Sequence, residues 1–186
     1  DEILCMTFTN KAAREMESRI FQLLTSLNIP VYGQLWISTF HSFCVRILKQ
    51  HITLLDYKPY FTIYDSSDQL SLVKKVVQTL GINDKLYPPK NFQARISNAK
   101  MNGQTPESIK KNNRNFMDPK TLEVYSAYEE AIKKANALDF DDLLLKTHEL
   151  FNMYPDLLLD YQKKFKFVMV DAYQDPNHIH YLLVKQ

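Results

Sequence analysis

The fold of this chain is decided by the stretch FKFVMVDAYQD at residues 165–175. Its apolar run Phe167 to Val170 is typical of a strand that is buried on both faces of a parallel sheet. The run ends at Asp171, and a second acid, Asp175, follows four residues later. An acid at the carboxyl end of such a strand lies where open α/β sheets bind ligands, and in nucleotide hydrolases it holds Mg²⁺. Taken alone, the stretch is equally compatible with a strand that ends in a polar turn.

The composition is that of a globular chain of 186 residues, enough for one large domain or two small ones. Hydrophobic residues make up 45% and charged residues 24%, which disfavours wholesale disorder. The net charge is only +2, so we expect any nucleic-acid surface to be local. Cys5 and Cys44 lie in apolar segments and are predicted to be buried free thiols of a reducing compartment. No apolar run reaches transmembrane length, and the N-terminus shows no signal-peptide pattern.

Two strand-turn-helix units precede the deciding stretch. The apolar run at residues 3–6 leads through a polar turn, in which Thr9 or Asn10 can cap a helix. The apolar residues at helical spacing that predict one buried face of this helix are Ala13, Met16, Ile20, Leu23, Leu24 and Leu27. Residues 35–40 predict a second strand, followed by a helix that ends at about His51. Three strands in such units imply a parallel sheet with helical crossovers.

Residues 59–138 are predicted to be mostly helical, with one short strand at 61–64. Helix starts are indicated at Ser66 or Ser67, at Pro88-Pro89 and at Pro106. Gly81 would end the first of these helices, and a longer helix carries residues 122–135. This segment holds twelve Lys and Arg against eight Asp and Glu, a balance of +4, whereas the rest of the chain has −2. The basic cluster Lys110, Lys111 and Arg114 is more typical of a solvated helix face than of a nucleic-acid contact.

The stretch LDFDDLLL at residues 138–145 returns the chain to the sheet domain. Asp139 can cap a helix, and the acids at 141 and 142 favour its positive N-terminal end. By themselves these three acids indicate a capping device rather than a metal site. The helix is expected to end at about Met153, and Pro155 starts another that leads to the strand at Phe167.

Three motifs together carry a family resemblance. TFTNKAAREM (residues 7–16) resembles motif Ia of superfamily 1 DNA helicases of the UvrD/Rep/PcrA family, and TFHSFCVRIL (39–48) resembles their motif Ib. VDAYQDPN (170–177) resembles their motif II, the Walker B element. The order and spacing of the motifs, together with the stretch at 138–145 and the helical segment before it, extend the resemblance over essentially the whole chain.

The resemblance implies an α/β fold, a partial RecA-like P-loop NTPase parallel sheet with an inserted, mostly helical subdomain. It divides the chain into the first part of the core (1–58), the insert (59–138) and the second part of the core (139–186). The family's Gly-rich Walker A loop and its second RecA-like domain match nothing in this sequence, so we expect an excised fragment.

The resemblance also implies site residues. The residues predicted to contact single-stranded DNA are Thr7, Phe8, Thr9, Asn10, His41 and Ser42. Phe8 would stack on a base, and the others would donate to phosphates. The alternatives are that Phe8 packs inward, that the hydroxyls only cap helices and that His41 is structural. Asp171 would hold Mg²⁺, directly or through water, while Gln174 and Asp175 would link the ATP site to the DNA side.

Two residues depart from the family pattern. Ala172 stands where the family has the Glu that acts as general base, and Pro176 stands where it has Thr. The leading hypothesis is a fragment of an ATP-dependent 3′-to-5′ DNA helicase of repair or replication in the bacterial cytosol. The parent would use ATP and Mg²⁺ on single-stranded DNA and single-strand/duplex junctions. The fragment would be an inactive monomer that does not bind ATP or Mg²⁺ tightly and does not bind a membrane. The alternatives are a catalytically silent DNA-binding or scaffolding paralogue and a module of a helicase–nuclease subunit.

Overall fold

The computed structural model describes residues 2–112, 117–171 and 177–186. The strands in this part of the chain are β1 (Ile3–Thr7), β2 (Trp36–Thr39), β3 (Thr62–Tyr64), β4 (Ala137–Asp139) and β5 (Phe167–Val170). The α-helices are α1 (Asn10–Ser26), α2 (Phe40–His51), α3 (Ser66–Thr79), α4 (Pro89–Met101), α5 (Pro106–Lys111), α6 (Pro119–Lys134), α7 (Phe140–Met153), α8 (Pro155–Lys164) and α9 (His178–Lys185). A short 3₁₀ helix, Ile52–Leu55, follows α2.

Strands β2, β1 and β5 form a parallel sheet in that order. Cys5 in the central strand pairs with Ile37 of β2 and Met169 of β5. The three strands run in the same direction, so their carboxyl ends meet at one edge, as the sequence predicts. A second, two-stranded parallel sheet joins β3 to β4, with Ile63 opposite Leu138. The sequence prediction does not include β4, a strand of three residues that lies directly before α7.

The side chains of β5 are not buried on both faces, so that prediction is wrong. Phe167, Val168 and Met169 are 63%, 46% and 50% exposed. Among the described residues β5 has a strand neighbour on one side only, and an apolar cavity adjoins it on each face. Met169 lines the cavity of about 450 Å³ beneath α1, and Val168 lines the one of about 240 Å³ beneath α8 and α9. Helices α1, α8 and α9 therefore lie next to β5 but do not cover its side chains.

Helix α1 also departs from its prediction of one buried face. None of its residues is buried, and Leu23 is 58% exposed. Ile20 and Leu24 point toward the sheet but line the same cavity of about 450 Å³. Helix α3 is capped by Asp65 rather than by Ser66 or Ser67, because Asp65 and Asp68 accept each other's backbone N–H in a capping box.

Several boundaries match the sequence predictions. Helix α2 ends at His51 and α7 at Met153. Gly81 follows α3 with φ +67, a left-handed conformation that glycine adopts without strain and that ends the helix. Both cysteines are free and buried, and burial raises the pKa of Cys44 to about 12. No helix in the described ranges is long and apolar enough to cross a membrane.

The buried side chains of residues 2–112, 117–171 and 177–186 form two hydrophobic clusters. One combines the sheet with α2, α7 and the neighbouring segments, with Phe40, Ile47 and Leu145 at its centre. The other lies within residues 73–137 and is centred on Tyr125, Tyr128 and Ile96. The two clusters agree with the predicted fold class, whereas the division at 58/59 and 138/139 stays a prediction.

Candidate nucleic-acid interface

An open groove of about 670 Å³ lies at the carboxyl edge of the sheet. Its lining residues are Phe8, Thr9, Asn10, Thr39, His41, Ser42, Val45, Ile63, Phe140 and Leu143. The groove forms here because β1 and β2 are parallel, so the turns that follow these two strands lie on the same side of the sheet. Five of the six residues predicted to contact DNA therefore lie together, although the two motifs that hold them are about thirty residues apart.

Phe8 is the aromatic side chain of the first turn, and it is 36% exposed. Its ring rests on Phe40, with the centroids 5.1 Å apart and the planes tilted by 38°. The ring is thus supported from inside while part of it borders the groove. This geometry lies between the two sequence alternatives, because Phe8 packs against the core and still offers surface to a ligand.

The hydroxyl groups of the two turns are engaged with the backbone. Thr9 caps α1 by accepting the N–H of Ala12 at 3.1 Å. Thr39 caps α2, where its Oγ1 accepts the N–H of Ser42 at 3.2 Å and donates to Ser42 Oγ at 3.0 Å. Ser42 is exposed, so its hydroxyl still faces the groove. These caps fix the starts of α1 and α2, from which short polar side chains can reach a ligand.

Thr7 differs from the other predicted contact residues. It is fully buried, it does not line the groove, and its Oγ1 donates to the carbonyl oxygen of Thr9 at 3.0 Å. A buried hydroxyl that already donates to the backbone cannot also donate to a phosphate. The geometry therefore supports a role for Thr7 in shaping the turn and gives no support to direct DNA contact.

His41 is partly buried in the wall of the groove. Burial lowers the pKa of His41, and a hydrogen bond with the backbone of Phe140 partly opposes that shift. The ring also meets the ring of Phe140 edge-on, with centroids 6.4 Å apart. A neutral imidazole can donate or accept a hydrogen bond, so His41 at neutral pH presents a polar edge rather than a positive charge.

Asp171 lies outside this groove. It is exposed at the end of β5, where its backbone N–H donates to the carbonyl oxygen of Met6 at 3.0 Å. It shares a smaller groove of about 280 Å³ with residues of α1, including Glu15 and Arg19. No group of three His, Cys, Asp or Glu side chains in the described part of the chain could hold a metal ion. A single carboxylate nevertheless fits Mg²⁺ of the kind that is held jointly with nucleotide phosphates.

The other residues predicted for the ATP site and for its link to DNA are Ala172, Gln174 and Asp175. They lie outside the residues that the structure describes, as do Pro176 and Arg114. Their roles stay predictions from the sequence.

A buried ionic cluster holds the start of α7, which forms one wall of the groove. Lys100 Nζ lies 2.8 Å from Asp139 Oδ2, 2.7 Å from Asp142 Oδ1 and 2.6 Å from Glu129 Oε1, and its side chain is fully buried. Asp139 also caps α7 in a capping box with Asp142 and accepts the hydroxyl of Tyr128. The capping role predicted for Asp139 is thus confirmed, and Lys100 adds a link from α4 that the sequence does not reveal.

The pKa values in this cluster follow from burial and from sharing one ammonium among three acids. The carboxylates around Lys100 outweigh its burial and raise its pKa well above the ordinary value. Burial raises the pKa of Asp142 to about 8, although Lys100 opposes the shift. The pKa of Asp139 is lowered despite its burial, because Lys100 and three hydrogen bonds favour its charged form. At neutral pH Asp139 is therefore charged and balances the ammonium, while Asp142 is mostly neutral.

A sequence model of the UvrD/REP helicase N-terminal domain matches residues 1–186, the whole chain. This chain belongs to the UvrD/REP helicase family. Its N-terminal-domain assignment agrees with the parallel sheet and the helical segment, and confirms the predicted fold class, a partial RecA-like sheet with a mostly helical insertion.

Curated relatives of this UvrD/REP family chain are named ATP-dependent DNA helicase PcrA. The protein of Bacillus subtilis (strain 168) is 41% identical over 184 residues, which cover 99% of this chain and 24% of that protein. The protein of Staphylococcus aureus (strain NCTC 8325 / PS 47) is 42% identical over 183 residues, which cover 98% and 24%. The chain spans about a quarter of the length of these relatives.

Two functional candidates of this UvrD/REP domain are absent from the sequence prediction. Phe140 is the first residue of α7, is 50% exposed and lines the groove together with Phe8 and His41. The signal for Phe140 in the sequence is an aromatic residue directly after the predicted capping residue, Asp139. His180 in α9 is buried and touches Phe8, Phe40 and His41 with its ring. Nothing in the sequence shows that α9 returns to the groove.

Proposed function

We propose that this chain is part of an ATP-dependent DNA helicase and that its groove binds single-stranded DNA. The proposal rests chiefly on one observation: two separate motifs place partly exposed rings and short polar groups along one groove at the carboxyl edge of the sheet. Family membership and the printed activity of the PcrA relatives support it. We further propose 3′-to-5′ movement, action at single-strand/duplex junctions in repair or replication in the bacterial cytosol, and a monomeric chain.

Each groove residue has a role in this proposal. Phe8 and Phe140 offer ring surface to unstacked bases, which is independent of sequence because every base has a π-face. Asn10, His41 and Ser42 offer hydrogen bonds to phosphate or sugar, and Thr9 fixes the turn. Among the described residues that line the groove there is no Lys or Arg, so we expect the isolated chain to bind DNA weakly.

For the ATP side we propose that Asp171 helps to hold Mg²⁺ in the parent protein, directly or through water. When bound, the ion would supply charge neutralisation at the nucleotide phosphates. Gln174 and Asp175 would connect this side to the DNA groove. Ala172 carries no group that can activate water, which favours a second candidate function, a DNA-binding paralogue that does not hydrolyse ATP.

The test is fluorescence anisotropy with a labelled oligo(dT), at one fixed low salt concentration because phosphate contacts depend on salt. Phe8→Ala is expected to weaken binding by about 1–3 kcal/mol, the range for loss of one base-stacking ring. Phe21→Ala is the matched control, since Phe21 is 49% exposed on α1 and does not line the groove. Equal affinities of the Phe8→Ala and Phe21→Ala chains would exclude the stacking role.

A further inference from the structure

His180 lies beneath the groove, in the first turn of α9. Its side chain is only 6% exposed, and its ring meets Phe8 edge-on at 5.3 Å between centroids. It also meets Phe40 edge-on at 4.7 Å. Phe8 therefore stands on two rings, one from α2 and one from α9.

The contact is directional because of the chemistry of the rings. Edge-to-face pairs are favourable when the positive edge of one ring meets the negative face of the other. Phe8 and His180 have an interplanar angle of 65°, close to this arrangement, whereas Phe8 and Phe40 are tilted by only 38°. Phe40 thus supports the Phe8 ring, while His180 limits how far the ring can rotate or sink. No hydrogen-bond partner for His180 Nδ1 is present in the described ranges, so hydrogen bonding at this atom does not account for the ring position.

A second connection joins the same turn to the end of β5. The N–H of Asp171 donates to the carbonyl oxygen of Met6, two residues before Phe8. In the sequence, strand β5 precedes and helix α9 follows residues 172–176, the segment that carries the predicted catalytic position. The turn of Phe8 is therefore held by the elements on both sides of that segment.

We propose that His180 is a positioning residue, which fixes the Phe8 ring in the orientation that stacks on DNA and so makes the affinity of the groove depend on the placement of α9. The proposal rests on the proposed function, in which Phe8 contacts bases. His180 itself does not line the groove, so it acts through Phe8 and not on the ligand.

The test is a double-mutant cycle in the 186-residue chain, with oligo(dT) anisotropy as the measurement. His180→Leu places an apolar side chain at the buried position and removes the ring edge, whereas His180→Phe keeps a ring there. We expect His180→Leu to weaken binding about 3- to 10-fold, the effect of losing one aromatic pair. In a Phe8→Ala background the same change is expected to alter affinity by less than about 2-fold, because the two changes remove one shared interaction.

Additional measurements separate positioning from general damage. His180→Phe is expected to bind DNA like the unsubstituted chain, and so is the control Tyr181→Ala, which alters the neighbouring, 46% exposed residue of α9. The dependence of affinity on salt is expected to stay unchanged in His180→Leu, because the phosphate contacts are retained. Equal weakening in both backgrounds, no weakening at all, or a His180→Phe chain as weak as His180→Leu would overturn the positioning role alone. No effect of Phe8→Ala would overturn both the stacking function and the role of His180.

Discussion

Replacement of Lys100 by Met is expected to destabilise the chain by about 3 kcal/mol at pH 7. Removing one partner of a buried ion pair typically costs about 3–5 kcal/mol, because the remaining charges stay buried without compensation. The variant strands Asp139 and Asp142, which are 2% and 0% exposed. The lower end of the range applies because Asp142 has a pKa of about 8 and is mostly neutral at pH 7, and Tyr128 still donates to Asp139.

Lys166→Met is the matched control for this substitution. Lys166 pairs with Glu2, but the side chains are 59% and 56% exposed, and solvent screens such exposed pairs so that they contribute little to stability. Both variants remove the same charge and introduce the same side chain. Urea unfolding followed by far-ultraviolet circular dichroism measures the free energies, with the m-value as a check that the unfolding transition is comparable.

The outcome at two further conditions tests the electrostatic origin of the effect. Adding Asp142→Asn to Lys100→Met is expected to change the stability little at pH 7, because the Asp142 carboxyl is already mostly neutral there. The loss is expected to shrink at pH 5, where the stranded carboxyls take up protons more readily. The reasoning is refuted if Lys100→Met costs no more than Lys166→Met, or if its cost is the same at pH 5 and pH 8.

Two further predictions concern pH and turnover. The pKa of His180 is about 4 in the folded chain, below its ordinary value of 6.5. The unfolded chain therefore takes up the proton first, and the free energy of unfolding falls as the pH drops from about 6.5 to 4. His180→Leu should remove up to about 3 kcal/mol of that fall, as measured by urea unfolding at pH 7 and pH 4.5. In a longer protein that contains this chain and a phosphate-binding loop, Ala172→Glu should raise DNA-stimulated phosphate release by about 10²–10⁴-fold with little change in ATP affinity, and equal rates would show that position 172 is not that of the general base.

The elements that a sequence can predict here are those with long periodic patterns or strong caps. Helices α2 and α7 end where the sequence places their ends, and the three strands of the main sheet pair in parallel as expected. Burial was harder to predict, because an apolar run such as Phe167–Val170 looks the same whether or not helices close over it. The cavities on both sides of β5 are a property of packing between distant segments, which no local pattern contains.

The candidate site shows the same division between local and distant information. Motif positions identify Phe8, which directly follows β1, and His41, which lies two residues after the end of β2. Phe140 and His180 join them only because α7 and α9 fold back over the sheet. The start of α7 in turn depends on Lys100, which lies about forty residues earlier in a segment of different character. Its buried ammonium cannot be distinguished from a surface lysine in the sequence.

The turn of residues 7–10 is the point at which the two sides of the proposed function meet. On one side Phe8 borders the groove that we propose for DNA. On the other side helix α1, which begins at Asn10, supplies Glu15 and Arg19 to the groove that contains Asp171. The backbone N–H of Asp171 donates to the carbonyl oxygen of Met6 in β1, the strand that leads into this turn. Because Asp171 is hydrogen-bonded to Met6, two residues before Phe8, we expect a displacement at Asp171 to move Phe8 as well. A ligand at Asp171 that shifts the end of β5 should therefore change the DNA affinity of the groove, and by linkage DNA should change the affinity for that ligand by the same factor.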